Sequence, residues 1–181
     1  MPDLTHARRG PPLTASQRVQ SLPAATRYVL RGGPPVREAA EQALALRIPH
    51  NPCRAARDGE RAALWLGPDE WLLIAPQGSA TALAGALSEP LHALPHSLVD
   101  VSHRQVALAV SGPQAATLLA AGCPLDLDPR SFPVDMCTRT MLARAEIVLW
   151  RSGTEVFRIE VWRSFAGYVS AFLAEAEYGI G

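Results

Sequence analysis

The chain has 181 residues, with 17 acidic and 17 basic side chains and a formal net charge of zero at pH 7. That length fits one ordinary domain and is too short for two full-sized enzyme domains, and the balanced charge excludes a surface built to attract nucleic acid or an anionic membrane. Every basic residue is arginine, which excludes a lysine Schiff base, and Cys53, Cys123 and Cys137 form no CxxC pair of the kind that holds zinc or runs thiol redox chemistry.

In chain order, residues 1–24 are rich in Pro, Arg, Thr and Ser without apolar periodicity, and read as a flexible arm preceding a single domain over 25–181. No apolar run follows Arg8 and Arg9 and no segment approaches membrane-spanning length, so the expectation is a cytoplasmic chain with reduced thiols. A strand is expected at Arg27 to Arg31. The turn Gly32-Gly33-Pro34-Pro35 then leads into a helix apolar at Val36, Ala39, Ala40, Ala43 and Leu46. A loop containing Asp58-Gly59 precedes a hairpin, with strands Ala62 to Leu66 and Trp71 to Ala75 joined by Gly67-Pro68-Asp69-Glu70. Ser79 is placed to cap a helix carrying Leu83, Leu87 and Leu91, which Pro90 and Pro95 should disturb.

The second half repeats the order. Leu98 to Val101 and Gln105 to Val110 read as strands, Ser111-Gly112-Pro113 opens a helix through Leu119, and Gly122 is placed to stop it in a left-handed cap. Thr138 to Ala143, Glu146 to Trp150 and Val156 to Val161 read as strands, and an amphipathic helix from about Ser164 to Glu177 closes the chain. The fold class is therefore α+β: two pseudo-repeated β-α-β-β-α units packed into one domain, sharing a sheet with the helices outside.

Candidate chemistry is sparse. Asp100, Ser102 and His103 have the residue types of a hydrolytic triad, but strand neighbours point to opposite faces and cannot converge; Asp100 and Ser102 should bond local backbone while His103 and Arg104 turn outward. The histidines show no HxH or HExxH spacing, and the glycines build no phosphate loop, so catalytic, cofactor-binding and metal residues are all expected to be absent. The four tryptophans read as core and interface anchors. Arg139, Arg144, Arg151, Arg158 and Arg163 alternate with apolar residues, either as a solvated sheet face or as a surface pairing with carboxylates of another chain.

Several motifs in order carry a resemblance: Leu64-Trp65-Leu66-Gly67-Pro68-Asp69-Glu70-Trp71, Asp100-Val101-Ser102-His103-Arg104, Gly122-Cys123-Pro124-Leu125-Asp126-Leu127 and Arg144-Ala145-Glu146-Ile147-Val148-Leu149-Trp150-Arg151. Together with Arg163-Ser164-Phe165-Ala166 they resemble the gamma subunits of heterotetrameric sarcosine oxidases, over about Leu64 to Phe172. The sequence departs from that pattern at Asp135, where a small residue such as glycine is usual, and at Arg144, where lysine is.

The resemblance implies a fold similar to the folate-binding domain of aminomethyltransferases, including the glycine-cleavage T protein. It also implies a complex of alpha, beta, gamma and delta chains that demethylates sarcosine to glycine and passes the one-carbon unit to tetrahydrofolate. FAD, FMN, NAD and zinc would belong to the other subunits. The role carried over is structural contact, chiefly with alpha, through His103, Arg104, Arg139, Trp162 and Arg163, with a possible homodimer when the chain is alone. The rival reading is a free-standing folate-binding aminomethyltransferase-like protein, which needs a buried carboxylate and an open channel.

Overall fold

Period-2 alternation is the rule that organises this chain, and a computed structural model describing residues 18–180 shows what each face of each strand meets. Strands β1 (Val19–Ser21), β2 (Ala25–Gly32), β3 (Ala55–Asp58), β4 (Arg61–Gly67), β5 (Glu70–Pro76), β6 (His96–Asp100), β7 (Gln105–Ser111), β8 (Cys137–Leu142), β9 (Ala145–Gly153) and β10 (Val156–Trp162) alternate with four helices. The helices are α1 (Pro34–Leu44), α2 (Ala80–Leu91), α3 (Ala115–Ala120) and α4 (Arg163–Tyr178). The strands form two antiparallel sheets, in the orders β3-β4-β5-β2-β6 and β8-β9-β10-β7-β1.

The α+β class and the duplication stand, but the expected shared sheet is two facing sheets. On β5, Trp71, Leu73 and Ala75 pack with α1 and α2, whereas Leu72 and Ile74 meet the other sheet. On β9, Ile147 and Leu149 pack with α3 and α4, whereas Val148 and Trp150 face inward. Two such sheets bury both faces of their central strands, giving layers in the sequence helix, sheet, sheet, helix.

The repeat is also longer than β-α-β-β-α. The first half gains β3, in the stretch expected to be loop, and β1, inside the expected arm. Low strand propensity in Ala55-Ala56-Arg57-Asp58 concealed β3; pairing with β4 supplies what the residues do not. Val19 is buried against Val110 of β7, so the folded domain takes in part of the stretch expected to be arm, and residues 1–17 lie outside the described residues. Matching β2, β3, β4 and β5 with β7, β8, β9 and β10 gives the same strand order in both sheets, and each half lends its opening strand to the other: β1 joins the second-half sheet and β6 the first-half sheet.

Both repeat hairpins carry a register shift, at Trp65/Gly67 and at Val156/Phe157. Where β3 and β8 begin, the sheets are stitched by a bridge between Arg54 and Met136, with Ala55 N–H donating to the Asp135 carbonyl at 2.7 Å and Cys137 N–H to that of Cys53 at 3.0 Å. Pro90 sits in the last turn of α2, which stops one residue later at Leu91, in line with the expected disturbance. One local expectation is corrected. Gly122 is not left-handed; a Cβ there would lie 2.6 Å from the Phe172 ring, so close approach to α4 is what requires glycine.

Candidate functional site

At the end of the molecule where β6 turns into β7, four of the five expected contact residues meet. Residues 101–104 form a tight turn, with Arg104 N–H donating to Val101 O at 3.0 Å and Arg163 N–H to Arg104 O at 2.8 Å, which ties the start of α4 to the turn. The Arg163 Nε donates to the His103 carbonyl at 3.0 Å, and the Arg104 guanidinium stacks on the Trp162 ring at 5.1 Å. His103, Arg104, Trp162 and Arg163 are all exposed. Trp162 is 44% exposed and is followed along α4 by Phe165 and Tyr168, each 41% exposed, at spacings that place them on one helix face.

The hydrolytic reading of this segment fails on geometry. Ser102 Oγ accepts from Arg27 N–H at 2.9 Å, and Ser102 N–H donates to Asp100 Oδ1 at 2.8 Å, so both side chains serve backbone. The Ser102 hydroxyl, and then its N–H, hold the Asp100 carboxyl below the ordinary carboxylate range.

Arg139, on β8 of the sheet that also holds β7 and β10, lines the same corner and reaches across to the other sheet. It forms a forked pair with Glu70 of β5, one arm at 3.3 Å, and donates to Leu66 O at 3.3 Å. Between these groups lies a recess of about 370 Å3 whose wall includes Arg104, Arg139, Trp162, Glu146 and Glu160. Gln105, also in the wall, is 8% exposed and its Oε1 is buried without a donor.

Behind the recess, a buried ionic cluster crosses between the sheets. Arg27 Nε of β2 donates to Glu160 Oε2 of β10 at 2.6 Å, with both side chains almost fully buried, and Arg158 Nε donates to Glu160 Oε1 at 2.8 Å. Arg158 Nη2 lies 2.7 Å from the same oxygen, an ionic contact without hydrogen-bond alignment. Sequence reasoning missed this cluster because Arg158 and Glu160 alternate with Phe157, Ile159 and Val161, a pattern that normally marks a solvent face. Opposite charges two apart on one face were the available signal.

The arginines do not form one solvated face. Arg139 pairs with a carboxylate of its own chain, and Arg151 is 4% exposed, donating to the carbonyls of Leu127, Phe132 and Thr154 and lying over the Phe157 ring. Among the described residues no group of three or more His, Cys, Asp or Glu gathers to hold a metal, and no helix is long and apolar enough to cross a membrane.

The sequence pattern of the sarcosine oxidase, gamma subunit family matches residues 31–178, most of the chain. The chain belongs to that family. A sarcosine oxidase subunit gamma from Arthrobacter sp. is 46% identical over 94 residues, covering 52% of this chain and 45% of the relative. The match to this gamma-family relative thus spans about half of its length. A chain of the heterotetrameric sarcosine oxidase from Corynebacterium sp. U-96 superposes with a TM-score of 0.82 and 33% identity, over 90% of this chain and 85% of that one. The aminomethyltransferase T of the glycine cleavage system from Bartonella henselae shares the fold, with a TM-score of 0.62 and 18% identity over 86% of this chain and 44% of that one.

Proposed function

We propose that this gamma-family chain is a non-catalytic structural subunit of a heterotetrameric sarcosine oxidase, cytoplasmic, docking on the partner chains and chiefly on alpha. In this reading FAD, FMN, NAD, zinc and tetrahydrofolate are held by the other subunits. The observation that carries it is the corner itself: an arginine stacked on a 44% exposed tryptophan, continued by Phe165 and Tyr168, is the composition of an interface centre. Elsewhere among the described residues Trp71, Trp150, Phe132 and Phe157 are buried, and Tyr178, at the far end of α4, is exposed.

The competing reading, a free-standing folate-binding protein, draws on the recess, which has an open mouth and a buried carboxylate, that of Glu160. That carboxylate already faces two guanidinium groups, which leaves it little capacity for a pterin donor.

Co-expression of the four chains, with this one tagged, tests the docking surface. Trp162→Ala and Arg104→Ala should each lower the yield of partner chains recovered, by roughly tenfold or more if they sit at the interface centre, while the thermal midpoint of the isolated chain moves little. Recovery equal to wild type for both variants would remove the corner from the interface.

A further inference from the structure

The opposite end of the layer between the sheets holds a second cavity, of about 510 Å3, which shares no lining residue with the recess at the corner. It opens where β2 and β10 begin and β5 ends, and its walls include Ala25, Ala62 and Ala109 on inward-facing strand positions. Facing sheets stand about 10 Å apart, a gap that interdigitating Val, Ile or Leu side chains fill. Alanine on both sides leaves a slot about one ring thick, floored by Ile74 and Trp150.

Two donors in this wall lack an aligned acceptor. Trp150 is 5% exposed and its indole Nε1–H is buried with no acceptor, and Arg158 Nη2 touches Glu160 Oε1 at 2.7 Å without hydrogen-bond alignment. A buried indole N–H normally finds a partner, and one left unpaired marks a missing group. Arg57 is offset by Glu60 and Arg61 by Asp58, but Arg158 shares the single carboxylate of Glu160 with Arg27, a surplus of one guanidinium charge that favours an anion.

We propose that this cavity is a binding site for a small monocarboxylate with a flat apolar body. The carboxylate accepts from Trp150 Nε1 and Arg158 Nη2, and the flat body occupies the slot between the alanines. The proposal does not rest on the assembly role: the cavity shares no lining residue with the recess, and Arg158 touches only Glu160 of the recess wall.

The probe is 2-naphthoate, titrated into the 15N-labelled full chain. One indole N–H resonance should shift saturably, and it should be the resonance missing from the spectrum of Trp150→Phe. By calorimetry, Trp150→Phe should weaken binding by about tenfold or more, the scale of one charge-assisted hydrogen bond. Ala109→Leu keeps the indole donor but fills the slot, and should abolish binding; it carries the test alone if Trp150→Phe fails to fold. The alcohol 2-naphthalenemethanol should bind at least about tenfold more weakly than the acid. Absence of saturation into the millimolar range, affinity unchanged by Ala109→Leu, or equal affinity for acid and alcohol would overturn the proposal.

Discussion

Glu160 is 1% exposed and faces two guanidinium groups, so neutralising it leaves the buried Arg27 and the half-buried Arg158 without a counter-charge. Glu160→Gln should lower unfolding stability by about 3–5 kcal/mol, the usual cost of breaking a buried pair from one side, measured by urea denaturation. A loss below about 1 kcal/mol would mean that water reaches the cluster. Cys137 offers a second residue-scale test. Burial pushes its thiol up to about 12 from an ordinary value near 9, so the folded state keeps a proton that the unfolded chain releases. Its contribution is complete below pH 9 and fades between about 9 and 12; stability should fall with pH across that window more steeply in wild type than in Cys137→Ala. Equal slopes would show that the thiol is not withdrawn from water. Of the residues expected to contact partners, His103, Arg104 and Arg163 lie within the motifs that carry the resemblance and Trp162 directly precedes one; the structure brings the four to one corner, and their contact with partners is part of the proposal. Arg27 and Glu160 were not, because a polar strand face reads the same whether water or another charged strand covers it. Asp135 was noted as a departure from glycine, and its φ of 63° gives the reason: the left-handed region that glycine enters freely, and that aspartate tolerates better than most residues.

Most strands and all four helices of the described chain were readable as elements, since their periodicity is set by the core faces they present. The two strands that escaped, β1 and β3, are short edge strands at three and four residues, and their pairing partners rather than their own residues hold them in place. Glycine was harder to read, because sequence does not separate conformational need from spatial need. Gly122→Ala should cost about 1–3 kcal/mol through displacement of the Phe172 ring, whereas Gly85→Ala, in the interior of α2 with nothing within 4 Å, should stabilise by about 0.5–1 kcal/mol. Thermal denaturation of the two variants checks the pair. Equal signs would show that the approach of α4 to the chain beyond α3 is looser than drawn.

At the scale of the whole molecule, the exchange of β1 and β6 makes each half complete a sheet of the other, and the ionic cluster and the Arg54–Met136 bridge join the same two sheets. Neither repeat buries its inward face alone, so the chain behaves as one cooperative unit. Such a scaffold sets the proposed docking corner at the junction of β7, β10 and α4, with the Arg104 guanidinium over the Trp162 ring. The duplication was visible from the sequence, but the lending of strands was not, because strand order depends on pairing across the chain rather than on local pattern. Under the proposed function this chain supports an assembly and performs no chemistry alone. Sarcosine-dependent oxygen uptake, measured on the purified chain and on the four-chain complex at equal molarity, tests that claim directly. The account predicts uptake by the complex and none by the isolated chain; turnover by the isolated chain would contradict it.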